Sequence, residues 1–215
     1  MFLTAASSNH FRSLLQFLKS LSGAPVIVYD IGLTASEVAE IKSMPVQYRM
    51  FDWTSVPPWG LLTAPNAGSY VWKPVIIQAV CQEAHDIVIW CDAGNMLTNL
   101  SALEAHVREA KLYTPTSSNS LQQWTHETCI AGVGVKMRHL GRDMRNAAII
   151  GFVVTDPVVK QFVDEWRLCC LKESLIVGSR DNHRWDQSIL TCLFYKYHRS
   201  CSDRNIGITI QNDCD

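Results

Sequence analysis

Short apolar runs alternate along this chain with stretches in which apolar residues recur every three or four positions. Residues 2–5, "FLTA", open the series as a short strand. Phe11, Leu14, Leu15, Leu18 and Leu21 then fall on one helical face, with Ser8 placed to cap that helix. After the break "GAP" (23–25), "VIVYD" (26–30) is a second buried strand. Thr34 and Glu37 have the spacing of a capping box and predict a helix over 35–42. "PVQYRMF" (45–51) reads as a third strand, followed by an ordered loop rich in Trp and Pro. Pro74 predicts the first position of the next helix.

"IVIWC" (87–91) is an unbroken apolar run that stops on Asp92-Ala93-Gly94-Asn95. A helix over 101–110, a short strand in "KLYTP" and a strand over 146–155 follow. Asp156-Pro157 opens a helix with Val159, Phe162, Val163 and Trp166 as its buried stripe, and a last helix covers about 184–198. Strands alternating with helices predict an α/β fold: a mostly parallel central sheet flanked by helices on both faces, in a single domain over 1–215.

Composition narrows the class. Apolar residues make up 47% of the chain and the formal net charge is −1, so a sizeable core is expected and a basic face for nucleic acid is not. One small anion held by a few cations remains compatible. No run of about eighteen apolar residues occurs, so no membrane span is expected. The start lacks the pattern of a signal peptide. The eight cysteines lie mostly in apolar stretches without a C-x-x-C pair, which fits reduced, buried thiols in a cytoplasmic protein. Cys192, His198 and Cys201 suggest zinc only weakly, for no fourth ligand is evident.

In parallel sheets ligands bind beyond the carboxyl ends of the strands. The first strand ends in Thr4-Ala5-Ala6-Ser7-Ser8-Asn9, the second in Tyr29-Asp30, and "IVIWC" in Asp92. Small residues and acids at three strand ends describe a polar crevice, although Ser8 reads equally as a helix cap and Asp30 as a turn residue. A carboxylate straight after an apolar strand is partly desolvated and needs a partner. Lys73 stands at a helix start, where a cation is disfavoured unless an anion is shared with the free N–H groups. In "DNHRWDQSIL" (181–190), a cap at Asp181 or Asn182 would put His183, Asp186 and Gln187 on one face, which Ile189, Leu190 and Leu193 continue inward. The plainer reading of Asp186 is a first-turn acid complementing the helix dipole. P-loop, dinucleotide-fingerprint, G-x-S-x-G and H-E-x-x-H motifs are missing from the sequence.

Taken in order, "TAASSNH", "VYDIGL", "YVWKP", "IWCDAGN", "NAAIIGF" and "HRWDQSIL" resemble glycosyltransferases of the GT-A fold, from Met1 to about Tyr197. The resemblance is strongest to small nucleotide-sugar transferase domains of large DNA viruses of algae, which glycosylate capsid protein. It implies a Rossmann-like GT-A sheet and a hexosyltransferase, in host cytoplasm if viral. A hexose would pass from a nucleoside diphosphate (UDP) to a hydroxyl of a glycan or glycoprotein, assisted by Mn²⁺ or Mg²⁺. Thr4, Ala5 and Asp30 would lie by the nucleoside. Asp92-Ala93-Gly94 corresponds to the family's D-x-D motif, with Asp92 as metal ligand and Gly94 where the second acid is expected. Asn95 or Asp213 would then supply another oxygen. Lys73 would assist the diphosphate, and Ala93 and Gly94 would let it approach the backbone. Asn146 and Gly151 would contact the sugar, and Asp186 would act at the anomeric centre with His183 and Gln187 beside it. Two rivals remain: a non-catalytic nucleotide-binding α/β module, and a metal-dependent phosphohydrolase with Asp92 as nucleophile. The latter wants an acid where Gly94 stands.

Overall fold

The computed structural model describes residues 1–210. In chain order its strands are β1 (Phe2–Ala6), β2 (Val26–Asp30), β3 (Gln47–Met50), β4 (Ile87–Cys91), β5 (Asn95–Leu97), β6 (Leu112–Tyr113), β7 (Thr116–Ser120), β8 (Asp143–Arg145), β9 (Ile149–Val153) and β10 (Ile208–Ile210). The central sheet runs β3-β2-β1-β4-β9-β6. All its strands are parallel except β9, which is antiparallel to β4 and β6. β1 and β4 are buried along their whole length, as expected for parallel strands covered on both faces.

Helices supply that cover. On one face Leu3, Val88, Trp90 and Phe152 pack with Ile76 and Ile77 of the Trp72–Glu83 helix, Phe162 and Trp166 of the Pro157–Cys170 helix, and Leu190 of the Trp185–Lys196 helix. On the other, Phe2, Val28 and Ile89 pack with Leu14 and Phe17 of the Phe11–Ser20 helix and Leu103 and Val107 of the Leu100–Ala110 helix. The capping box predicted at Thr34 forms at the head of the Ala35–Lys42 helix, with Thr34 and Glu37 satisfying each other's backbone N–H groups. Among the described residues no helix is long and apolar enough to cross a membrane. The described cysteines are free, and Cys192, His198 and Cys201 form no metal-ligating cluster among these residues.

Connectivity creates the crevice. From β1 the chain moves outward through β2 to β3, then returns to place β4 on the opposite side of β1. The loops leaving β1 and β4 therefore diverge, and a gap opens beyond their carboxyl ends. Because β9 runs against β4, the residues that precede β9 arrive at that same end: the Asp92 N–H donates to the Ala148 carbonyl (2.8 Å).

Several expected boundaries shift, with consequences for the site. The strand expected over 146–155 begins only at Ile149, so Asn146–Ala148 form a rim of the crevice instead. The helix expected to start at Pro74 starts at Trp72, placing Lys73 inside its first turn. The last helix begins at Trp185, so His183 precedes it and shares no helical face with Asp186. β10 was not anticipated; it pairs antiparallel with β5, with Ile210 opposite Asn95. In the Trp- and Pro-rich loop, residues 66 to 70 all have positive φ (58, 53, 62, 53 and 57°). This left-handed turn needs glycine at its tightest point, because a Cβ on Gly68 would sit 2.2 Å from the Gly60 carbonyl oxygen.

Candidate active site

Two adjoining compartments lie beyond β1 and β4. The larger, about 550 Å³, is lined by Ala5 and Ala6 at the end of β1, Ser7 just after it, and Asp92 to Asn95 in the segment that follows β4. The second, about 310 Å³, is walled by Asn146, Ala147, Arg184, Trp185, Asp186 and Gln187. Tyr70, Lys73, Asp92, Ala148 and Arg180 border both. One compartment is thus floored by small strand-end residues, and the other carries carboxylate, amide and aromatic side chains.

Lys73 joins them. Its side chain is 5% exposed, and its ammonium lies 3.0 Å from Asp92 Oδ1 and 3.6 Å from Asp186 Oδ2. It donates to the Ala147 carbonyl (3.3 Å) and sits over the faces of Trp90 and Tyr70. Burial opposes the charge on Lys73, but Asp92 and Asp186 outweigh it and hold its pKa up at about 12. Asp92 is fixed from beneath by Trp90, whose Nε1 donates to the same Oδ1 (2.7 Å). Its side chain is 40% exposed and faces the crevice.

Asp186 differs. Burial pushes its carboxyl up to about 6 despite the attraction of Lys73, and Oδ2 has no hydrogen-bond donor among the described residues. Asp92 chiefly secures the ammonium, while Asp186 is held at longer range in a drier place. Trp185 enters its helix at φ 45°, a costly conformation for a bulky residue, just before Asp186 and Gln187 at the crevice wall.

Of the residues singled out from sequence, Ala5, Lys73, Asp92, Ala93, Gly94, Asn146, Asp186 and Gln187 meet at this crevice. Four others do not. Thr4 is fully buried in β1, one residue short of the strand end, and is not a lining residue. Asp30 is consumed by its own turn: Oδ1 accepts from the Gly32 and Leu33 N–H groups (2.8 Å each) and Oδ2 from the Tyr48 hydroxyl (2.8 Å). Gly151 lies inside β9, where a Cβ would sit 2.2 Å from Val107 Cγ2, so it is small to admit the neighbouring helix rather than a sugar. His183 is fully buried; its Nδ1 accepts from the His126 N–H (3.2 Å), and burial drives its pKa down to about 4. It is a neutral core histidine, and the place expected for it beside Asp186 at the reacting centre is corrected. Sequence reasoning overlooked Tyr70, Trp185 and above all Arg180, an exposed cation with no ion-pair partner among the described residues. The run "SRDNHR" carries that signal, an arginine among turn-forming residues just ahead of the last helix.

A divalent metal fits this set of donors poorly. Asp92 Oδ1 already accepts from Trp90 and Lys73, and Gly94 stands where a second acid would be. Asn95 is 1% exposed, with its amide donating to the Ala148 carbonyl (2.6 Å). Asp213 lies outside the described residues. Among those described, no three His, Cys, Asp or Glu side chains gather to hold a cation. The space between the two carboxylates belongs to an ammonium.

No family model matches the sequence, and no curated protein matches it. Solved structures do. One is core-mannan synthase A from Aspergillus fumigatus in a Mn/GDP form, at TM-score 0.61 and 6% identity, covering 100% of this chain and 78% of that one. The fold is of the GT-A type. A second match, mouse xyloside xylosyltransferase 1 in its apo form, has TM-score 0.51 and 10% identity, covering 91% of this chain and 81% of that one. The architecture implied by the sequence resemblance is the one found. Both neighbours come from cellular organisms, and neither supports the narrower viral kinship.

Proposed function

We propose that this protein is a glycosyltransferase that moves a sugar from a nucleoside diphosphate to a hydroxyl acceptor. The observation that carries the reading is the Asp92–Lys73–Asp186 cluster, set at the switch point of a fold shared with two glycosyltransferases. The larger compartment takes the nucleotide, because small residues at the ends of β1 and β4 allow close approach to the backbone while Tyr70 and Trp72 offer aromatic surface. The second takes the sugar and the acceptor hydroxyl, facing Asp186, Gln187 and Asn146. In the reaction the anomeric C–O bond breaks and its electron pair leaves with the diphosphate. The acceptor oxygen forms the new bond to the anomeric carbon and passes its proton to the departing nucleoside diphosphate. Charge develops on the leaving diphosphate, and a buried, preorganised cation is worth most there. UDP is the nucleotide favoured by the sequence resemblance, and the GDP of the mannan synthase makes guanine the second candidate. The acceptor is a glycan or glycoprotein hydroxyl.

Incubation of the purified protein with a panel of UDP- and GDP-sugars and simple glycan acceptors tests this. Mass spectrometry should find a glycosylated acceptor with stoichiometric free nucleoside diphosphate. Release of inorganic phosphate instead would identify a phosphohydrolase, and binding of nucleotide with neither product would identify a non-catalytic module.

A further inference from the structure

We infer that Lys73 and Arg180, rather than a divalent cation, neutralise the diphosphate at this site; the inference rests on the nucleotide-sugar reading above. Three independent features support it. First, the ammonium of Lys73 lies within ion-pair distance of both Asp92 and Asp186, which puts a fixed positive charge where carboxylates would otherwise call for a metal. It is buried, donates to the Ala147 carbonyl, and is flanked by the faces of Tyr70 and Trp90, so it is preorganised rather than mobile.

Second, the protein offers a hard cation few oxygens of its own, so phosphate and water would have to complete nearly all of its shell. Asp92 spends Oδ1 on Trp90 and Lys73, and Gly94 and Asn95 contribute no free acid. Third, Arg180 borders both compartments, is exposed, and has no carboxylate partner among the described residues. A guanidinium facing a crevice without a counter-ion is matched to a bidentate anion such as a phosphate. Asp92 and Asp186 then serve to hold Lys73 in place and charged. The leaving diphosphate meets the exposed guanidinium of Arg180, while Lys73 offsets the two carboxylates that would otherwise repel it. The Gly at position 94 becomes intelligible: with no metal to ligate, the position is free to be small beside the bound nucleotide.

Calorimetric titration of the purified protein with UDP and GDP, in excess EDTA and in excess Mn²⁺, decides the matter. The expected result is nucleoside diphosphate binding of the same affinity in both buffers. Arg180→Gln should weaken diphosphate binding on the order of tenfold to a hundredfold while uridine or guanosine binding stays unchanged. Lys73→Met removes the ammonium, should abolish diphosphate binding, and risks misfolding because two carboxylates lose their cation. Lys73→Arg keeps the charge and provides the folded control, binding diphosphate more weakly but still independently of metal. In the Lys73→Met background, Gly94→Asp should restore binding only when Mn²⁺ is present. Binding by the parent protein that disappears in EDTA overturns the inference and leaves sugar transfer standing. An Arg180→Gln variant with parental diphosphate affinity overturns the role of that arginine. Failure of the parent protein to bind either diphosphate in both buffers overturns the nucleotide-sugar reading and the inference together.

Discussion

Asp30 and Asp92 close two apolar strands of similar composition, "VIVYD" and "IVIWCD", and the fold uses them in opposite ways. Asp30 turns back on its own loop, where two backbone N–H groups and the Tyr48 hydroxyl take both of its oxygens. Asp92 receives Trp90 and Lys73 on one oxygen and faces the crevice. The difference does not lie in the acids. It lies in where each strand ends: β2 is one place removed from the switch point, whereas β4 borders it. Gly32 and Leu33 also present N–H groups that Asp30 can reach, whereas after Asp92 the Asn95 N–H donates to the Asp92 backbone carbonyl and not to its side chain.

Mutating both acids to amides gives the largest contrast. Asp92→Asn should lower sugar transfer on the order of a hundredfold or more, because the charge that holds Lys73 is lost. Asp30→Asn should leave turnover near the parent value and cost roughly 1–3 kcal/mol of stability, since an amide cannot accept all three hydrogen bonds. Parallel turnover and chemical denaturation of the two variants would erase the comparison if both lost activity alike.

Asp186 sharpens it through pH. Its folded pKa, raised to about 6, exceeds the unfolded carboxyl value, so between those values the folded state binds the extra proton. Its contribution to stability is therefore most favourable below the unfolded value and declines as pH rises through about 6. The cost above that is roughly 2–3 kcal/mol. Turnover should run the other way, rising through about pH 6 as the carboxylate forms. His183, lowered to about 4, opposes Asp186 in stability over the same window: its contribution is lost as pH falls from the unfolded histidine value through about 4. The difference between the parent and Asp186→Asn, followed by denaturation and turnover from pH 4 to 8, isolates the carboxylate. An acid limb of turnover that survives in Asp186→Asn would assign it to another group.

Smaller effects separate packing from binding. Gly151→Ala must push Val107 aside and should cost roughly 1–3 kcal/mol, with nucleoside diphosphate affinity unchanged. Thr4→Val removes a buried hydroxyl that has no partner among the described residues. It should be neutral or stabilise by about 1 kcal/mol, again with unchanged affinity. A loss of nucleotide binding in either variant without a loss of stability would put that residue back in the site.

These contrasts also explain what the sequence could reveal. β1, β2 and β4 were legible because strands buried on both faces read as continuous apolar runs, and the Thr34–Glu37 box because its partners are three residues apart. Asp92 and Asp186 stood out because each is an acid beside apolar neighbours. That one lysine joins them is a tertiary fact, written in no local spacing. The sense of β9 was equally hidden, and with it the reason that Asn146 reaches the crevice and Gly151 does not. His183 misled because a helix start placed too early put it on the face of Asp186.

The crevice draws on the end of β1, the 67–73 segment, the end of β4, the entry to β9 and the 180–187 segment, which are widely separated along the chain. Loop-closure entropy makes such contacts late to form. The Asp92–Lys73–Asp186 cluster is therefore a reporter on folding as well as a site: it exists only once the Trp72–Glu83 and Trp185–Lys196 helices have docked beside the end of β4. Nucleotide affinity during refolding should recover after helical signal and together with the final packing of Trp90 and Trp166, and a bound diphosphate will protect the whole sheet rather than one loop.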